Sequence, residues 1–137
     1  YQIAEMYRRI SIEEAIKKYE VAYEKGIAKA ASNIGSYYYI NKDTEKAKIW
    51  IQKAIDGGDV DSNFYMGELY DNARDLKKAY EYYSKAANNK NAVAMFSAGE
   101  IAFELGEEKL GKYWYNRILT EKGIEQLSEK LIIALGN

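Results

Sequence analysis

The chain has no cysteine, no proline and no histidine among its 137 residues. Without cysteine it has no disulfides, thiolate metal ligands or thiol nucleophiles, and a thiol-free chain suits oxidising and reducing surroundings alike. Without histidine it lacks the commonest general base and the commonest transition-metal ligand. Neither a Ser-His-Asp triad nor a histidine-based zinc site can be assembled from these residues alone. No metal and no cofactor is expected. The charges nearly cancel, 20 basic against 21 acidic for a net −1, and no run of Lys or Arg is long enough to follow a phosphate backbone. Nucleic acid is therefore not an expected partner. The longest apolar run, Leu131 to Leu135, is far short of the roughly 20 residues that cross a bilayer, so no membrane span is expected. Tyr1 to Ile10 already has the pattern of an amphipathic helix rather than of an initiator Met or a signal peptide. The expectation is a segment from inside a longer protein, or one whose leader has been processed.

What the sequence does have is a period. Gly35, Gly67 and Gly99 recur every 32 residues, and other columns keep that step. Ala15, Ala47 and Ala79 continue to Gly111, and Lys18, Trp50, Tyr82 and Trp114 are each followed by Tyr19, Ile51, Tyr83 and Tyr115. Ala22, Ala54, Ala86 and Ile118 form another column, and Ser11, Asp43, Asp75 and Glu107 hold the turns. Self-similarity at this interval marks a stacked array of helix pairs.

Taken in order, Ile3, Met6, Tyr7 and Ile10 make a short first helix. Ser11 with Glu14 forms a capping box that starts a second helix at Ile12, running to about Glu24 and ended by Gly26. Antiparallel pairs follow at 29–40 with 44–56, 61–72 with 76–87, and 92–105 with 108–120. A last helix, Ile124 to Leu135, has polar positions suited to a cap. The expected fold is an all-α, right-handed α-solenoid of antiparallel helix pairs, period 32, with about nine helices and no strand. Its repeats cover roughly 1–27, 28–59, 60–91 and 92–123, with a capping helix at 124–137, in a single domain.

A Gly inside a helix costs about 1 kcal/mol relative to Ala, so a column of three should be offset by close approach of the partner helix. Ala15, Ala47, Ala79 and Gly111 are the expected counterparts. The aromatic column at Trp50, Tyr82 and Trp114 is read as packing that covers the joint.

Two stretches carry a family resemblance. Lys46-Ala47-Lys48-Ile49-Trp50-Ile51-Gln52-Lys53-Ala54 and Lys78-Ala79-Tyr80-Glu81-Tyr82-Tyr83-Ser84-Lys85-Ala86-Ala87 are similar to the K-A-x-x-W-Y-x-K-A-A core of Sel-one-like repeats, a branch of the tetratricopeptide superfamily. The first-helix patterns Ala30-x-x-x-Ile34-Gly35-x-x-Tyr38 and Ser62-x-x-x-Met66-Gly67-x-x-Tyr70, and the closing Gly57-Gly58-Asp59, resemble that branch too. The turn at 40–42 is about four residues shorter than that branch carries and resembles plain tetratricopeptide repeats. The fourth unit departs at Gly111, Ile118 and Ala102, and the first has Ile3 where Gly is expected.

The resemblance implies a superhelix whose first helices line a concave groove for a peptide or partner protein. Residues facing away from the glycine side should line it: Lys29, Ser32, Ser36 and Tyr39, then Asp61, Phe64, Glu68 and Asp71, then Val93, Phe96, Glu100 and Phe103. Of these, Tyr39, Phe64, Glu68, Asp71, Phe96, Glu100 and Phe103 are the candidate binding residues. Aromatics beside carboxylates favour a segment with Lys or Arg among apolar side chains. The alternative is that Phe64, Phe96 and Phe103 are partly buried and the acids merely solvate the surface.

Carboxylates that resemble an acid/base pair, Glu13 with Glu14, Asp56 with Asp59 and Asp61, and Glu107 with Glu108, sit at helix starts or in turns, where structural duty explains them. Gly57-Gly58-Asp59 lacks the Lys and hydroxyl of a phosphate loop. An enzyme is not expected. Two functions remain open: an adaptor that binds a partner in its groove, and a spacer or oligomerisation segment of a larger protein with an empty groove. A cytoplasmic location is the default, and export of a bacterial protein of this kind stays open.

Overall fold

The structure is a computed structural model that describes residues 2–120. These form seven helices and no strand: α1 (Gln2–Glu24), α2 (Ala28–Ile40), α3 (Thr44–Asp56), α4 (Ser62–Asn72), α5 (Leu76–Asn88), α6 (Ala92–Glu104) and α7 (Glu108–Thr120). The expected cap at 124–137 lies outside the described residues. Two compact units divide between Ser62 and Asn63. In the first, α2 packs on α1 and α3; in the second, α6 packs on α5 and α7.

The helix boundaries follow from residues in the left-handed region, which recur with the period of the sequence. Lys42, Arg74 and Gly106 have φ of 62°, 61° and 81° and end the first helix of each pair. Gly26, Gly58 and Lys90 have φ of 96°, 102° and 63° and end the second. The amides that follow close the turn identically: Asp43 donates to the Tyr38 carbonyl, Asp75 to Tyr70 and Glu107 to Ala102, at 2.9, 2.9 and 2.8 Å. These are the six-to-one bonds of a Schellman ending. The next helices are capped by side chains, since Asp43 accepts from the Lys46 amide and Asp75 from the Lys78 amide. Asn91 does the same for Ala94.

That geometry explains the one break that the chain does not make. A helix end was expected at Ser11, yet α1 runs unbroken from Gln2 to Glu24. The residue in register with Lys42, Arg74 and Gly106 is Ile10, and a β-branched residue strongly resists positive φ. With no residue able to turn there, the capping pattern at Ser11 goes unused, and two expected helices become one. Sixteen residues at roughly 100° each put Ile3 about 160° around the helix from Tyr19. A straight α1 therefore cannot pack both on α2. Tyr19 lies 6.2 Å from Tyr37, ring to ring, whereas Ile3, Met6, Tyr7 and Ile10 stand 84%, 61%, 74% and 48% exposed.

The glycine column does mark close approach, and the crowding atoms come mainly from one position along the partner helix. A Cβ on Gly35 would stand 2.7 Å from Ile51 Cγ1, one on Gly67 2.6 Å from the Tyr83 ring, and one on Gly99 2.5 Å from the Tyr115 ring. The expected small-residue counterparts contribute only carbonyls, Ala47 and Gly111 at 3.4 Å. Gly111 has its own reason, because a Cβ there would meet the Phe103 ring at 2.6 Å.

The lysines of the repeated motif cover aromatic faces. Lys46 lies 5.4 Å over Tyr38 and Lys78 5.2 Å over Tyr70. Lys53, Lys85 and Arg117 lie 4.1, 5.0 and 5.2 Å over Trp50, Tyr82 and Trp114. Each such contact contributes about 0.5–1 kcal/mol at an exposed site, and the methylene stems shield the rings from water. Trp114 is buried, with its indole N–H donating to the Tyr80 hydroxyl at 2.9 Å.

Candidate functional site

Six of the seven candidate residues lie in the second unit, on α4 and α6, and five of these six, all but Glu68, meet a tyrosine from α5 or α7. Glycine lets each tyrosine pass close to the first helix. The Tyr83 ring crosses Gly67, lies 5.5 Å from Phe64 and donates its hydroxyl to Asp71 at 3.2 Å. Tyr115 crosses Gly99, stacks on Phe96 at 5.6 Å and 18°, meets Phe103 at 5.3 Å, and donates to Glu100 at 2.7 Å. Two carboxylates are thus fixed beside three half-buried phenyl rings.

The surface is acidic. Glu68 is half-buried, and burial, followed by the neighbouring Asp71 carboxylate, pushes its carboxyl above its ordinary value. Arg74 bonds to Glu104 at 2.7 Å and approaches Asp71 at 3.7 Å, so one cation serves two of these acids. Tyr115 keeps its proton well beyond the usual phenol range, because burial and then the Glu100 carboxylate disfavour the phenolate. It is a hydrogen-bond donor at any ordinary pH, and Glu100 accepts.

The remaining candidate, Tyr39, is exposed near the end of α2 in the first unit. Ser32 is buried, although it was expected on the open side. First helices are flanked on two sides, as α2 is by α1 and α3, which leaves a narrower open strip than the pattern suggests. Phe103 is divided in role, half-buried over Gly111 and against Tyr115. Tyr83 and Tyr115 stand out in the sequence only as members of a repeat column, and their part in holding carboxylates was missed. The available signal was a tyrosine sixteen residues after each of two glycines, where the first full repeat has Ile51.

Two of the paired carboxylates elsewhere have local duties. Asp56 accepts from the Gln52 amide at 2.8 Å, and Asp59 from the Ser62 hydroxyl at 3.0 Å. No helix among the described residues is long and apolar enough to cross a membrane.

No family model matches the chain. It is 31% identical over 106 residues to a sel1-like repeat-containing protein of Acanthamoeba polyphaga mimivirus, an alignment covering 76% of this chain and 19% of that protein. The chain thus spans about a fifth of the length of that curated relative. Among solved structures, it is similar to the N-terminal domain of stress-induced protein-1 (STI-1) from C. elegans, with a TM-score of 0.64 at 23% identity. That match covers 76% of this chain and 91% of that domain. MamA gives a TM-score of 0.68 at 22% identity, over 94% of this chain and 78% of that one. At these identities the likeness to solved structures is one of fold.

Proposed function

We propose that this chain, a Sel-one-like and tetratricopeptide-like repeat protein built as an all-α solenoid, binds a partner through the α4 and α6 face of its second unit. Repeat proteins of this kind are generally protein–protein interaction scaffolds. The finer reading is a peptide or partner-protein segment that sets Lys or Arg among apolar side chains. The observation that carries it is the pair of tyrosine-held carboxylates, Asp71 and Glu100, beside Phe64, Phe96 and Phe103. Carboxylates already fixed in place lose little freedom on binding, and half-open rings supply anchoring area. Glu68, whose carboxyl is held above its ordinary value by burial and then by Asp71, gains a countercharge when a cation docks.

A second reading, a spacer with no ligand on this face, is favoured by the packing of Phe96 and Phe103 on Tyr115. The two readings separate by fluorescence anisotropy with labelled peptides that combine Lys or Arg with Leu and Phe, against matched peptides carrying Glu. The scaffold reading expects the basic set to bind, more weakly as salt screens the charges. Phe64→Ala with Phe96→Ala should weaken that binding about tenfold or more, as for anchor residues. Binding of neither set would favour the spacer, and equal binding of both would overturn the preference for a basic segment.

A further inference from the structure

α4 and α6 carry four carboxylates, Glu68, Asp71, Glu100 and Glu104, and no Lys or Arg. Among the described residues one cation reaches them, and it comes from the turn that follows α4. Arg74 donates through Nη2 to Glu104 at 2.7 Å and brings Nη1 within 3.7 Å of Asp71. One guanidinium thus joins the C-terminal ends of α4 and α6, with a nitrogen for each acid. Asp71 is then engaged on both oxygens, since its other one accepts from Tyr83. Among the described residues neither Glu68 nor Glu100 meets a cation, and Glu100 uses one oxygen to accept from Tyr115.

Nothing in the turn itself calls for an arginine. Arg74 holds φ of 61°, a region that strains a non-glycine residue, and the same register holds Lys42 and Gly106 in the other pairs. Nor is its ion pair a strong structural bond, because Arg74 is exposed and exposed pairs add little to stability. What the side chain supplies is a positive charge, held weakly, at the place where a basic partner would put its own.

We infer that Arg74 is a specificity residue of the α4 and α6 face: it stands in for a partner's cation at Asp71 and Glu104, and must give way before a second basic residue reaches them. This rests on the basic-segment reading of that face and adds where the charges go. The first Lys or Arg of a partner meets Glu68 and Glu100 without competition. A second meets acids already served, so it displaces Arg74 and gains little. Strongly basic segments therefore cannot bind on charge alone, and the apolar anchors at Phe64, Phe96 and Phe103 decide between partners. Specificity of this kind comes from a repulsive element set against the wrong ligand.

The test titrates the full chain, by fluorescence anisotropy, with two labelled peptides of Leu and Phe, one carrying a single Arg and the other two. The second Arg should improve binding by less than about twofold in the wild type and by about fivefold or more in Arg74→Gly and Arg74→Gln. Glycine relieves the backbone at position 74 and glutamine leaves it strained, so agreement between them assigns the effect to charge. Lys90→Gly is the matched control. Lys90 is also exposed, with φ of 63°, at the far end of the 13-residue α5. That helix rises about 20 Å, well beyond a Debye length of about 8 Å, and the control should behave as the wild type. Circular dichroism checks that all three variants fold. A gain from the second Arg that is equal in every chain, or raised as much by Lys90→Gly, or raised by only one Arg74 variant, would overturn the role of Arg74 while the basic-segment reading stands. Binding of neither peptide to any chain would overturn both.

Discussion

The Tyr115 hydroxyl donates to Glu100 across a helix pair at 2.7 Å, and its ring reaches that position because Gly99 has no side chain to stop it. Replacing Tyr115 by Phe keeps the ring and removes the bond, which should cost about 1–2 kcal/mol in chemical denaturation. The same variant should change the alkaline limb. The folded-state value of Tyr115 is raised above its ordinary 10, so its contribution is present below pH 10. It is lost as pH rises further and the unfolded chain alone ionises. Stability measured from pH 9 to 11 should therefore fall less steeply in Tyr115→Phe than in the wild type.

Gly99→Ala and Gly67→Ala set two effects against each other. Alanine gains up to about 1 kcal/mol of helix propensity, but its Cβ would sit 2.5 or 2.6 Å from a tyrosine ring that is packed and cannot swing clear. Overpacking of this kind costs typically about 1–3 kcal/mol. Both variants should be net destabilised, as read from denaturation midpoints.

Phe103 and Gly111 should be energetically coupled. A Cβ at 111 meets the Phe103 ring at 2.6 Å, so Gly111→Ala should destabilise the wild type. The same change should be neutral or favourable once Phe103→Ala has opened the space. A double-mutant cycle should give an interaction of about 1 kcal/mol or more, within the range for residues in contact.

Lys42 and Lys90 hold φ of 62° and 63°, a conformation that costs a non-glycine residue about 1–2 kcal/mol. Lys42→Gly and Lys90→Gly should each raise stability by about 0.5–1 kcal/mol after the extra entropy of glycine in the unfolded chain is subtracted. A thermal melt of each variant checks this.

The features that were legible in the sequence are those repeated in register. The glycine column, the Asp43 and Asp75 caps and the bounds of α3 and α7 follow from local chemistry that recurs every 32 residues. The unbroken α1 was not foreseen. Ser11 and Glu14 form a valid capping signal, but a cap cannot start a helix unless the residue before it can leave one, and Ile10 cannot. Of the candidate residues, the acids and rings are chosen by their place on the first helices. The hydrogen bonds of Tyr83 and Tyr115 were not foreseen, because Asp71 lies four residues beyond its glycine and Glu100 only one. The repeat register does not align those two partners. Gly111, which stands in the sequence as a departure from Ala, fits the ring of Phe103.

The account turns most on whether the α4 and α6 face takes a basic, apolar segment. Amide chemical shifts of the 15N-labelled chain, followed during titration with a Lys- and Leu-bearing peptide, test that residue by residue. The account predicts saturable shifts concentrated at Phe64, Glu68, Asp71, Phe96, Glu100 and Phe103. A saturating titration that leaves those amides in place, or moves a different surface, would contradict it.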